Sequence, residues 1–301
     1  MRRSRDRVTS RHSAWLVVAL AIATAVAACT DGGGGGGQLA EQEESVEAPV
    51  PGAPIPVDEL DAPRTAQAVA DELAAIESEL RGEDRDPATL DGLGRRQQLA
   101  YRRLAERPRW VERVLADVPA EVRSAVQSNV DADAALNELT GDSAAPTTLP
   151  DWQILAPQPA EALRGYYEEA EAASGIPWQY LAAIHLVETR MGRIRGNSSA
   201  GAQGPMQFIP ETWDSYGEGD ISDDRDAILA AGRYLDDRGG PDDMDSALFA
   251  YNNDTRYVRA IRAYASVMLE DPSAYDGYHA WQVIFGKADG TVLLPEGFGA
   301  P

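Results

Sequence analysis

Cysteine is nearly absent. Cys29 is the only one in 301 residues, so no disulfide can form within the chain. Lysine is as scarce, with Lys287 alone, and the three histidines stand in no Cys/His spacing that a metal site would use. Positive charge is short overall: the net charge is −22 and the pI is near 4.4. This balance argues against a nucleic-acid partner and against electrostatic adhesion to anionic lipid or anionic wall polymers. Long hydrophobic runs are missing as well, since the apolar stretch Ala14 to Ala28 is too short to make a good spanning helix. No Walker-type loop and no Ser-His-Asp pattern in context is present. A hydrophobic content of 44% and a charged content of 25% are ordinary for a globular protein, and the length allows one large or two modest domains.

The first 28 residues read as an export signal. Arg2, Arg3, Arg5, Arg7 and Arg11 form a basic start, the apolar run follows, and it ends Val26-Ala27-Ala28-Cys29. That ending resembles a bacterial lipobox. Cleavage before Cys29 and lipidation of its thiol would anchor the protein on the outer face of the cytoplasmic membrane, because two or more acyl chains hold where one does not. Residues 29–61 carry the glycine run Gly32 to Gly37 and then an acidic, Pro-rich stretch, so they are expected to form a disordered tether.

Residues 62–140 carry helical stripes. Val69, Leu73, Ile76 and Leu80 share one face; Leu90, Leu93, Tyr101 and Leu104 repeat it loosely, with Gly92 and Gly94 weakening the start. Trp110 to Leu115 suggests a short helix, and Pro119 opens another along Val122, Val126 and Val130. These stripes can pack as a small bundle without visible chemistry, leaving a spacer role or a wall-assembly protein partner open. Residues 141–150, GDSAAPTTLP, read as a linker. A catalytic region is expected over 151–286, with residues 287–301 as a tail holding a hairpin near Asp289-Gly290.

The stretch from Ile176 to Trp213 organises that region. It reads as a helix capped by Ser174, a Gly/Ser-rich loop, and a short helix opened by Pro210. Trp178, Leu181, Ile184 and Glu188 fall on one helical face. An apolar face that ends in a carboxylate is unusual, because a buried charge needs a partner or a raised pKa. The plain reading pairs Glu188 with Arg190 or Arg193; the other makes it a general acid. His185, one turn earlier, reads as a structural histidine. The acidic loop 220–226 reads as helix capping by Ser222 or Asp223, and it lacks the pattern of a calcium loop.

Three ordered motifs then carry a resemblance: VETRMG at 187–192, SSAGAQGPMQFIPETW at 198–213 and ALFAYNN at 247–253. Together they resemble the lytic transglycosylases of the lysozyme-like superfamily. The first motif and GPMQF.P resemble the membrane-bound B type, whereas GA.G.MQ and AYN resemble the soluble type. The resemblance covers about Trp152 to Phe285. It implies a mainly α chain, with a lysozyme-like all-helical catalytic domain preceded by a small helical segment and the tether.

It also implies a reaction. Glu188 matches the family's catalytic acid, which cleaves the bond between N-acetylmuramic acid and N-acetylglucosamine in peptidoglycan glycan strands. The same carboxyl then takes the muramoyl C6 hydroxyl proton, closing a 1,6-anhydro ring without water, metal or cofactor. Gln207 matches a residue whose amide contacts the sugar. Tyr251 and Asn252 match the AYN pair, with the tyrosine hydroxyl directed at the acid. Ser198 matches a loop serine near the site, and Met206 and Phe208 are expected to line the cleft. Glu211 and Asp214 read as surface acids. A muramidase acting on the same bond and a non-catalytic wall-binding lipoprotein are the alternatives.

Overall fold

Much of the acidic surplus sits at helix starts. The computed structural model describes residues 52–82 and 86–300; the leader, Cys29 and most of the expected tether lie outside the described residues. Strand β1 is Ile55–Pro56 and helix α1 is Ala66–Leu80, whose first turn is capped by Thr65 Oγ1. Helix α2, Pro87–Glu106, starts on the Asp86 carboxylate. Helices α3, Val111–Asp117, and α4, Ala120–Thr140, follow. Strand β2 is Gln153–Ile154, α5 is Ala160–Ser174, α6 is Trp178–Thr189 and β3 is Ile194–Arg195. Then come α7, Pro210–Tyr216; α8, Asp224–Asp237; α9, Met244–Tyr251; and α10, Thr255–Glu270. Asp223, Asp243 and Asp254 cap the last three, each accepting a backbone N–H of the first turn. Aspartate does this well because it satisfies an orphan donor and faces the positive end of the helix dipole. Helix α11, Ala274–His279, and strands β4, Val283–Lys287, and β5, Gly290–Leu294, complete the order.

The mainly helical expectation is met, and several details differ from it. Ile55 and Pro56, expected in the tether, pair with Leu293 and Val292 of β5 as the edge of an antiparallel sheet ordered β1-β5-β4. A proline is tolerated there because an edge strand leaves one side of its backbone unpaired. Helix α11 stops at His279, and β4 takes over before the tail expected from residue 287, with Phe285 and Val283 turned into a small second core beside Ile154, Ile194 and Leu294. Ser174 does not cap α6. Its hydroxyl donates back to the Ala170 carbonyl, and the Trp178 N–H is met by Glu171 Oε2 at 3.3 Å.

The larger difference concerns residues 62–140. Expected as a separate bundle before a linker, they share one continuous core with the helices after 151. Helix α4 lies along α10. Val126 and Leu136 are fully buried in the shared core; Tyr264 Oη on α10 donates to Asp133 at 2.6 Å, and Tyr278 Oη on α11 donates to Asn129 at 2.8 Å, so α4 is tied to both helices. Glycine, which weakened α2 as a helix, explains a second junction. A Cβ at Gly94 would stand 2.4 Å from the Gly277 carbonyl oxygen, so only glycine lets α2 cross α11 this closely. Trp281 closes the joint by donating its indole N–H to Gln97 at 2.9 Å.

Candidate active site

Helix α6 is hydrophobic on all sides, and every residue from Leu181 to Thr189 is buried. Such a helix belongs in the centre of a fold. It therefore carries Glu188 into the core, where the residue is 6% exposed. Neither arginine of the plain reading reaches it. Arg190 donates to the Leu186 carbonyl and Arg193 pairs with Glu296. Instead the carboxylate takes one hydrogen bond, from Tyr257 Oη to Oε1 at 2.8 Å. Burial pushes the Glu188 pKa up from 4.5 to about 8, and the Tyr257 hydrogen bond works against that rise. A carboxylic acid that keeps its proton near neutral pH, yet retains some exposure, can donate that proton and later accept one.

Tyr251, expected to point at Glu188, does not. Its hydroxyl donates to the Met206 carbonyl at 2.7 Å. The Tyr251 ring lies parallel to Tyr257 with centroids 6.4 Å apart, so the two hydroxyls serve neighbouring acceptors. The arrangement ties the loop before α7 to the acid: Met206 to Tyr251, Tyr251 to Tyr257, Tyr257 to Glu188. A second tie runs from Thr189 Oγ1 to the Pro205 carbonyl at 2.6 Å. In the sequence Tyr257 stands on an apolar helical stripe with Val258, Ile261, Tyr264 and Met268, with no motif around it. Its signal was that a buried tyrosine hydroxyl needs an acceptor.

The loop residues mostly build the loop. Ser198 Oγ accepts the N–H groups of Ala200 and Ala202 at 3.2 and 3.0 Å. Gln207 holds a positive φ of 51°, and its amide donates to the carbonyls of Gly204 and Gly196. Met206 is fully buried and Phe208 is 3% exposed, packed against Trp213, Tyr234 and Tyr251. Both are core residues rather than the expected lining of a cleft. Asn252 is 4% exposed and its Nδ2 has no hydrogen-bond partner, which leaves a buried donor one residue from Tyr251. Glu211 and Asp214 stand exposed on α7.

His185 is fully buried, with Nδ1 2.7 Å from Tyr167 Oη and Nε2 3.5 Å from Asp224 Oδ1. Burial lowers its pKa from 6.5 to about 3, so it is a neutral structural residue behind the site. In the acidic loop, Asp220, Asp223 and Asp226 each accept backbone N–H groups and Asp224 pairs with Arg195. Among the described residues no group of three or more His, Cys, Asp or Glu side chains is placed to hold a metal ion. A cavity of about 850 Å³ lies between Pro157, Arg164, Arg193, Tyr275 and His279, and Glu188 is not part of its wall.

Residues 165–267 match the family described as "Transglycosylase SLT domain", which includes Glu188, Gln207, Tyr251, Asn252 and Tyr257. Two curated relatives share the name "Membrane-bound lytic murein transglycosylase F". The one from Thiobacillus denitrificans is 34% identical over 127 residues, covering 40% of this chain and 27% of the relative. That from Nitrosospira multiformis is 32% identical over 144 residues, covering 45% of this chain and 30% of the relative. The chain thus spans less than a third of the length of these relatives. No solved structure matches it significantly. Over residues 165–267 the chain is therefore similar to transglycosylase domains of the SLT type.

Proposed function

We propose that the protein is a peptidoglycan lytic transglycosylase in which Glu188 acts first as acid and then as base. The observation that carries this reading is the buried Glu188 carboxyl, its pKa raised to about 8, whose one hydrogen bond comes from Tyr257. In the first step Glu188 is protonated and gives its proton to the oxygen between N-acetylmuramic acid and N-acetylglucosamine. The carboxylate left behind is stabilised by the Tyr257 hydroxyl on Oε1, which leaves Oε2 for the substrate. In the second step it takes the proton of the muramoyl C6 hydroxyl as that oxygen closes on C1. A glycosidase that uses water generally needs a second carboxylate across the scissile bond. Glu211 and Asp214, the acids nearest along the chain after the loop, point to solvent on α7, which supports the water-free route over the muramidase reading.

Gln207 and Asn252 are proposed to meet the sugar, the first from a loop it also braces, the second with its free amide. Ser198 supports the same loop. Cys29 is proposed as a lipid attachment point; no helix among the described residues is long and apolar enough to cross a membrane. Digestion of purified peptidoglycan with mass spectrometry of the products tests the proposal. Anhydro-muropeptides, lighter by one water than hydrolysis products, are expected. Hydrolysed ends alone would support the muramidase, and no release would support a binding protein.

A further inference from the structure

The turn that follows Glu188 is built in an unusual way. Arg190 and Met191 both hold positive φ, 55° and 57°, and Gly192 follows at 78°. Glycine takes this conformation freely and is the common residue where a helix ends in it, whereas any side chain adds strain. Two large side chains in a row persist there only if their surroundings hold them. Met191 is fully buried, with its sulfur 3.4 Å from Tyr167 Oη. Arg190 is 7% exposed, and its Nη1 donates at 2.9 Å to the Leu186 carbonyl, the same acceptor its own backbone N–H reaches at 3.2 Å. A cation at this end of α6 also suits the helix dipole.

The seat of that guanidinium comes from the N-terminal helices. Its centre lies 5.9 Å from the Trp281 ring, which is held through Gln97 on α2. Gln97 in turn donates to Glu77 on α1, fully buried and bonded also to Tyr101 and Arg81. On the other side Arg190 lines a cavity of about 40 Å³ together with Arg102 and Glu106 on α2 and with Asp133 on α4, which Tyr264 fixes at 2.6 Å. Burial raises the Asp133 pKa, and the Tyr264 hydrogen bond and the charges of Arg190 and Arg102 work against that rise.

We infer that Arg190 is a positioning residue for Glu188 and that helices α1, α2 and α4 form the seat that holds it. The segment read from sequence as a spacer is then part of what sets the acid's geometry. The inference rests on Glu188 being the acid–base of the proposed reaction. Misplacing a reacting group by about 1 Å costs on the order of a hundredfold in rate, so a loosened turn two residues away is enough to be measured.

The test uses the full chain with Arg190→Gly, because glycine keeps the positive-φ backbone conformation while the side chain and its guanidinium are removed. The rate on soluble glycan strands is expected to fall about ten- to a hundredfold in kcat with KM nearly unchanged. Guanidinium at low millimolar concentration should restore part of it, while equal concentrations of urea or sodium chloride should not. Asp133→Asn should lower kcat severalfold in the same way, whereas Arg113→Gln, which breaks an exposed pair with Asp117 on α3, should leave it unchanged. Titration of the Glu188 carboxyl by NMR gives a readout independent of turnover: in Arg190→Gly its pKa should drop toward the ordinary value as the loosened site hydrates. A folded Arg190→Gly protein with wild-type kcat, or one whose loss guanidinium leaves untouched, would overturn the inference. Should that variant not fold, a wild-type kcat in Asp133→Asn overturns it. If the wild type forms no anhydro product, the proposed reaction fails on its own, and an unshifted Glu188 titration in the variant decides against the positioning role.

Discussion

Tyr257 donates its hydroxyl to Glu188 Oε1 at 2.8 Å, from a helix that begins 67 residues after the acid's own position in sequence. This bond favours the ionised carboxyl, which is the form the proposed first step would make. Its partner Tyr251, parallel to it, is spent on the Met206 carbonyl. The two tyrosines therefore separate cleanly by substitution. Tyr257→Phe should raise the pKa of Glu188 and move the alkaline limb of the kcat profile to higher pH. It should also cost about ten- to a hundredfold in kcat, the worth of a hydrogen bond to a charged group. Tyr251→Phe should leave the limb in place and lower stability by about 1–3 kcal/mol by orphaning a buried carbonyl. A limb that moves down in Tyr257→Phe, or equally in both variants, would contradict this division.

Residues 52–140 should be indispensable to the fold. A fragment beginning near Pro146 would expose the face of α10 that α4 covers and leave the hydroxyls of Tyr264 and Tyr278 without Asp133 and Asn129. We expect it to be aggregated or to show no cooperative thermal transition. A fragment that melts cooperatively with wild-type activity would show that the shared core is dispensable.

His185 sets a pH dependence of stability. Its pKa is lowered in the folded state from 6.5 to about 3. The unfolded chain therefore binds the proton first, and the stability this group contributes is full above pH 6.5 and is lost as pH falls from there toward 3. Glu188 acts with the opposite sign. Its raised folded pKa makes stability largest below 4.5 and removes it as pH climbs to about 8. Denaturant unfolding from pH 7 to pH 4 should thus show a smaller acid loss in His185→Gln than in wild type. Equal slopes would mean that His185 is not buried in its neutral form.

Gly192 faces the other side of the catalytic turn. A Cβ there would stand 2.5 Å from Asp224 Oδ1 and 3.2 Å from His185 Nε2, at a φ of 78°. Gly192→Ala should destabilise by about 1–3 kcal/mol, measured by thermal melts, since both strain and overlap oppose it. An unchanged melting temperature would show that Asp224 can give way.

What the sequence made legible was local. Glu188 stood out because a carboxylate ended an apolar stripe, and the cap at Asp223 was one of two, with Ser222, that short-range spacing offered. The rest depends on contacts between distant residues. Nothing near Ile55 signals a strand, because its partner Leu293 lies at the other end of the chain. Asn129 and Asp133, four apart on the face of α4 that also buries Val122 and Val126, were the available hint that this helix meets hydroxyl groups rather than solvent. That Tyr257 rather than Tyr251 bonds the acid could not be read, since the motif points to Tyr251, Tyr257 stands on an apolar stripe, and only packing decides which hydroxyl reaches Glu188.

Glu188→Gln tests the central claim most directly. The amide keeps the shape but can neither give nor take the proton. Release of 1,6-anhydro-muropeptides from purified peptidoglycan should fall by about two to four orders of magnitude. The variant should melt at the same temperature as wild type or higher, most clearly near pH 8, where the buried carboxyl of the wild type is least favourable. The exposed variants Glu211→Gln and Asp214→Asn should release product at close to the wild-type rate. A folded Glu188→Gln protein that forms anhydro products at a near-normal rate would contradict the account.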